Sequence, residues 1–287
     1  MHLSLLPFWA LLFLQTDPRL DQALAAIARA AAQLLETAPR FGSQETLKQK
    51  AIVTPRRTPA ADPGNRAGPA QAPDRTNDRQ ILSAYALCGR GPHPQSLQEI
   101  RVVYESQGKT ILPRAKAWAE LKEAALTNFA LRPELRGEFE RESLGETAVD
   151  FGQLLLLFQK TSLPKYTFAL LKSELVGADA ALVISFAQQS GAASLHLNEA
   201  GKRSQARLEG QIWVRATDYL PLRIILRAER DRKKVRLRDE VHVDYELHQG
   251  ATLLPASVSH RRYLDDQLRA ENIYQYAEWL ALDESQK

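Results

Sequence analysis

The stretch 234–248 sets the terms for what this chain can fold into. Val235, Leu237, Val241, Val243, Tyr245 and Leu247 recur at alternate positions, broken only by Asp239. Lys234, Arg236, Arg238, Glu240, His242, Asp244, Glu246 and His248 fall between them. Successive side chains of a strand point to opposite faces, so this is a long strand with one dry and one wet face. Such a strand belongs to an antiparallel sheet packed on one side. The segments 166–175, 180–188, 205–215, 222–229, 255–263 and 268–279 also read as strands. Val176-Gly177, Ser190-Gly191, Ala200-Gly201 and Gln249-Gly250 supply turn residues between them.

The first half mixes helix and strand. Asp17-Pro18 is an N-cap followed by a proline in the first turn. Leu20, Leu24, Ile27, Ala31, Leu34 and Leu35 then follow at helical spacing until Pro39. A strand is predicted at 44–53. From 54 to 79 the chain holds Pro55, Pro59, Pro63, Pro69 and Pro73 and no large apolar residue. That composition predicts a disordered insert joining two strands. Strands resume at 81–87 and 97–105, where Ile100, Val102 and Tyr104 alternate with Arg101 and Glu105, Val103 being the exception. A helix at 113–131 carries Ala115, Trp118, Leu121, Ala125 and Leu126, and a short helix is predicted at 134–144. The run 151–158 (FGQLLLLF) is apolar nearly all round, which predicts a helix inside the fold. Runs of strands and separate helices give an α+β class with antiparallel pairing.

The run 3–14 (LSLLPFWALLFL) would extend about 18 Å as a helix, too short for a hydrocarbon core of about 30 Å. It suits a signal peptide over residues 1–16, although no Lys or Arg precedes it and no Ala-x-Ala directly follows. Export to the bacterial cell envelope, periplasmic or secreted, follows from that reading; an uncleaved N-terminal anchor and a buried helix are the alternatives for the same run. Cys88 is the only cysteine, which rules out an intrachain disulfide and a cysteine-rich zinc site. One folded domain over 17–280 and a tail at 281–287 complete the organisation.

The net charge is a mild +4, but Gly201 to Glu240 holds 12 Lys/Arg against 6 Asp/Glu. The run Arg230, Arg232, Lys233, Lys234, Arg236 and Arg238 is a candidate basic patch at a hairpin tip. Without aromatic residues in the run a nucleic-acid surface is disfavoured, which leaves a solvated tip, an anionic lipid surface or an acidic protein. No nucleophile elbow, phosphate-binding loop, dinucleotide fingerprint or zinc-protease motif occurs. His242, Asp244 and His248, with Glu240 and Glu246, share a strand face, but eight residues span about 27 Å, so they cannot all converge on one metal. The expectation is therefore no catalytic site, no metal and no cofactor. Trp213, Tyr245, Tyr274, Tyr276 and Trp279 are either core or cavity aromatics.

Three stretches carry a family resemblance: 208–224 (LEGQIWVRATDYLPLRI), 243–260 (VDYELHQGATLLPASVSH) and 269–279 (RAENIYQYAEW). A strand ending in Trp-Val, a turn, and then Leu-Pro-Leu-Arg-Ile resembles the central hairpin of LolA-like, lipoprotein-localisation-factor proteins. The Tyr245 to Pro255 pattern and the closing Glu271, Tyr274 and Tyr276 strand are similar to theirs as well. Arg215 stands where relatives often carry Asp, and the proline-rich insert has no counterpart. The resemblance implies an incomplete β-barrel, a curved antiparallel sheet wrapped around a few helices, whose apolar concavity cradles acyl chains under a helical lid. It implies a non-enzymatic envelope protein whose partners are lipid or lipoprotein acyl chains, with peripheral membrane contact and no nucleic acid. Leu155, Phe158, Trp213, Leu226, Val241, Val243, Tyr245 and Tyr274 are the cavity-lining candidates. Two alternatives stand beside it: a scaffold with a filled core that docks an acidic partner or anionic membrane through the basic hairpin, and a metal or hydrolytic enzyme using the His242 strand. The oligomeric state stays open.

Overall fold

The computed structural model describes residues 17–53, 75–88, 97–126, 133–144, 151–189, 197–199, 202–204, 207–232, 235–250 and 252–282. The predicted signal peptide and most of the proline-rich insert lie outside these residues.

Helix α1 (Pro18–Thr37) opens the described chain, with the Asp17 carboxylate accepting the Arg19 backbone N–H at 2.9 Å. Strands β1 (Phe41–Val53), β2 (Arg75–Cys88), β3 (Gln98–Ser106) and β4 (Lys109–Thr110) follow. Helices α2 (Arg114–Leu126) and α3 (Pro133–Glu142) and a 3-10 segment (Phe151–Phe158) then separate them from a second run of strands. That run is β5 (Tyr166–Val176), β6 (Asp179–Gln188), β7 (Leu197–Glu199), β8 (Lys202–Ser204), β9 (Arg207–Arg215), β10 (Pro221–Arg232), β11 (Val235–His248), β12 (Thr252–Leu264) and β13 (Gln267–Ala281).

Eleven strands form one curved, unclosed sheet in the order β4-β3-β2-β1-β13-β12-β11-β10-β9-β6-β5, and β7-β8 is a separate ribbon. Every described pair is antiparallel. Two meanders are thus joined side by side where β13 pairs with β1, Phe41 lying opposite Ala281. The hairpin β12–β13 turns on Asp265 and Asp266, both at positive φ (48° and 64°), the backbone that matches strand twist in a two-residue loop.

The sheet has an inner face, carrying α1 and the 3-10 segment, and an outer face. On the inner side Ala23, Ile27, Ala31 and Leu34 of α1 pack with Leu47, Tyr85, Ile224, Val241, Val258 and Tyr274. The alanines let the helix approach closely. Helix α2 lies on the opposite side, where Ala117, Leu121 and Ala124 cover Ala84, Ala86, Ile100, Val102 and Tyr104. The helices are therefore divided between the faces, and sheet dominates the structure.

Four sequence expectations change. Strand β2 starts at Arg75, so residues 75–79 belong to a ladder against 49–53. Main-chain bonding carries this polar extension beyond the core. Arg101 is buried because it turns to the inner side, beneath Phe139 of α3 and beside Tyr85, while α2 covers the opposite face of β3, leaving both faces of that strand dry. Phe151–Phe158 is a 3-10 segment with a non-helical Gln153, not an α-helix. Finally, β13 runs to Ala281 and Leu282 is 3% exposed beneath α2, so the fold extends past residue 280.

Gly210 faces the inner side between Leu226 and Phe186. A Cβ there would fall 2.0 Å from the Ile225 carbonyl oxygen and 2.8 Å from the Phe186 ring. Gly210→Ala is expected to cost about 1–3 kcal/mol through forced displacement. Urea unfolding checks this, and an unchanged midpoint would show that the strands part without strain.

Candidate functional site

The inner face is occupied by the chain itself. Phe151, Leu154, Leu155 and Phe158 of the 3-10 segment are each at most 2% exposed. The Phe158 ring packs among Tyr166, Phe168 and Phe186, with centroids 5.4, 6.2 and 4.9 Å away. The segment is anchored by polar bonds at two points. Gln153 accepts the Leu97 N–H at 2.8 Å and donates to the Leu97 carbonyl at 2.9 Å. The Leu155 N–H donates to the Tyr245 hydroxyl at 3.0 Å. Burial pushes the Tyr245 phenol far above its ordinary value, so it stays neutral and accepts.

Beside the segment, a polar seam crosses the dry interior. Strand register places Gln49 opposite Asn272, and Asn272 opposite His260; the neighbouring row puts Arg262 opposite Asp239. Gln49 Nε2 donates to Asn272 Oδ1 at 2.8 Å, and Asn272 Nδ2 meets His260 Nδ1 at 3.0 Å. His260 Nε2 lies 2.8 Å from Asp239 Oδ1, which also accepts from Arg262 Nε at 2.7 Å. Arg230 Nη1 reaches Asp239 Oδ2 at 2.9 Å. All six side chains belong to buried residues. Burial works to raise the Asp239 carboxyl, but the bond to His260 and the Arg262 charge overcome it and hold the group well below the usual carboxylate range. The Phe151 ring lies 5.1 Å from the His260 ring, so the seam touches the 3-10 segment directly.

A second buried cluster sits under α3. Arg101 Nε and Nη2 clasp Glu45 at 2.8–3.0 Å, and Nη1 reaches Glu99 at 2.7 Å. Its guanidinium lies 4.9 Å from the ring centres of both Tyr85 and Phe139. Burial pushes the Glu45 carboxyl up, and Arg101 opposes that.

Of the eight cavity candidates, the fold brings seven together. Leu155, Phe158, Leu226, Val241, Val243, Tyr245 and Tyr274 share the inner cluster. Trp213 does not join them. It packs on the outer face with Ala181, Val183 and Leu222, its indole N–H donating to Glu174. Alternation explains this, since Ile212 and Val214 are the inward neighbours. The basic run does not form one patch. Arg230 points into the seam, while Arg236 and Arg238 are ion-paired with Asp266. The side chains of Arg232, Lys233 and Lys234 lie outside the described residues.

His242 and Asp244 point to the outer face, where Asp244 bonds Arg223 at 2.6 Å and Ser257 at 3.2 Å. Burial lowers the His242 pKa, and Arg223 and Arg261 add to that. His248 instead packs edge-on against Phe41. Among the described residues no group of three or more His, Cys, Asp or Glu is placed to hold a metal.

Gln49, His260, Arg262 and Asn272 escaped sequence reasoning. Their signal is parity: each falls on the inward phase of its strand, in step with Leu47, Val258 and Tyr274. Asp239, the break in the strand that dominates the sequence, was the visible member of the set.

No family model matches the chain, and comparison with curated proteins finds no match. Solved structures do match. One is a domain from Vibrio parahaemolyticus described as an outer membrane lipoprotein-sorting protein, 12% identical, covering 93% of this chain and 95% of its own, with a TM-score of 0.37. Another is a DUF1329 family protein from Desulfovibrio piger, 14% identical, covering 94% of this chain and 96% of its own, with a TM-score of 0.35. The correspondence runs along most of each chain and is loose in geometry.

Proposed function

We propose that this protein is a non-enzymatic component of the bacterial cell envelope that holds an amphiphile, a lipid or a lipoprotein acyl chain, against the inner face of its sheet. The supporting observation is the character of what fills that space now: an eight-residue, almost wholly apolar 3-10 segment, tethered through Gln153 and Tyr245. An acyl chain entering in its place exchanges one apolar occupant for another and gains about 0.8 kcal/mol for each methylene it removes from water. The bound form is then the one with the segment displaced. The envelope assignment rests on the 3–14 run, which lies outside the described residues.

Native mass spectrometry of gently purified protein should find a co-purified amphiphile. A fluorescent fatty acid should bind saturably, and about tenfold more tightly to Gln153→Ala. Losing the Leu97 bonds costs the closed form roughly 1–3 kcal/mol and so enlarges the binding-competent fraction. No co-purified lipid and no saturable uptake by either protein would end this reading.

A scaffold with a solid core is the second reading. It is favoured by the burial of the seven inner candidates, none more than 4% exposed. Under it, Gln153→Ala lowers stability and opens no site. Docking through the basic run gains nothing from Arg230, Arg236 and Arg238, whose charges are met within the fold.

A further inference from the structure

We infer that His260 is a proton-sensitive latch, which holds the 3-10 segment in place with a singly protonated ring and releases it when the ring takes a second proton.

The inference comes from the direction of the hydrogen bonds. The Leu144 backbone N–H can only donate, and it donates to Gln49 Oε1 at 3.0 Å. This orients the Gln49 amide, whose NH2 then donates to Asn272 Oδ1 at 2.8 Å. Asn272 is oriented in turn, so its NH2 donates to His260 Nδ1 at 3.0 Å. Nδ1 must therefore present a lone pair, and the ring proton sits on Nε2, donating to Asp239 at 2.8 Å. A donor-only group at one end and an acceptor-only group at the other leave the chain one consistent polarity.

A second proton can only go to Nδ1, where it meets the NH2 of Asn272. Rotating Asn272 moves the clash to Gln49, and rotating Gln49 moves it to the Leu144 N–H. Leu144 and Phe151 flank the connection that leads into the segment. Phe151 itself stacks on His260, rings 5.1 Å apart and tilted 38°. One protonation event therefore acts on both ends of that connection, through Gln49 at one and through an imidazolium buried under Phe151 at the other.

The groups around His260 include Asp239 on β11, Arg262 on its own strand, Asn272 on β13, Phe151 on the segment and, through Asp239, Arg230 on β10. Asp239 favours the added charge and the two arginines oppose it. The latched form binds fewer protons than the released form, so acid favours release.

This rests on reading the segment as a removable cover. Its test needs no ligand, so a failure of the latch and a failure of amphiphile binding are seen separately. Amide hydrogen exchange of 151–158, corrected for intrinsic rates, is followed from about pH 7.5 to about pH 5. Protection of the segment should fall about tenfold while β10–β13 keep theirs. His260→Gln should abolish the pH dependence. Asn272→Asp, which offers Nδ1–H an acceptor, lets the latched form take the second proton and should weaken or abolish the release by acid. A pH-independent segment in the wild type, loss of protection in all elements together, or the same transition in a folded His260→Gln would overturn the latch. Should His260→Gln not fold, an acid release that persists undiminished in Asn272→Asp overturns it alone.

Discussion

Arg101→Met is expected to destabilise the protein by about 3–5 kcal/mol, because it strands Glu45 and Glu99 in the interior without their shared cation. The loss should have a distinctive pH signature. Burial already pushes the Glu45 carboxyl up, and Arg101 is the group that opposes it. Without Arg101 the folded-state pKa rises further. A carboxyl whose folded pKa exceeds its unfolded value stabilises the fold below the unfolded value of about 4.3 and costs increasingly as pH rises through the folded one. The deficit of the variant should therefore be larger at about pH 7.5 than at about pH 5. Urea unfolding at the two pH values decides. A deficit below about 1 kcal/mol, or one that ignores pH, would mean that the cluster relaxes or takes up water.

Asp239→Ala should cost a similar amount, about 3–5 kcal/mol, for the reciprocal reason: Arg230 and Arg262 remain buried after their carboxylate is gone. Its pH window is different. Asp239 is held well below the usual carboxylate range, so its contribution is fully present above the unfolded value of about 3.9 and is lost as pH falls through the folded one. The gap between wild type and variant should then narrow only below about pH 4. Thermal melts from neutral pH downward would reveal it. A gap already closing near about pH 6 would place the titration elsewhere in the seam, with His260 the first group to examine.

These two clusters mark the boundary of what could be read from residue order. The alternation of β11, the capped α1 and the turn residues follow local rules, period two for strands and 3.6 for helices. Each was visible without knowing any partner. The inward positions of Leu226, Val241, Val243, Tyr245 and Tyr274 followed from the same alternation. Trp213 reads as a cavity residue by its type, but its phase is opposite to that of Ile212 and Val214, which turns it outward. The alternation of Ile100, Val102 and Tyr104 marks Arg101 as solvent-facing, whereas α2 covers those three on the outer face and Phe139 of α3 closes over Arg101 on the inner one. The basic run looked like a patch because linear proximity of charges was mistaken for proximity on a surface. The β10–β11 register sets Arg230 opposite Leu237 on the dry face, where it turns to Asp239, and Arg236 opposite Asp231 on the wet face, where Arg236 and Arg238 turn to Asp266.

The amino-acid sequence by itself determined most of the elements, the antiparallel meander and the dry face of β11, because these depend on periodicities within a few residues. Only the tertiary structure decided that β13 pairs with β1, that Gln49, Asn272 and His260 fall in one cross-strand row, and that the 3-10 segment lies on that row. Those contacts join residues more than two hundred positions apart in the case of Gln49 and Asn272. No local pattern encodes the register of such a pair; it is set by the fit of two whole meanders against one another, which is a property of the assembled core.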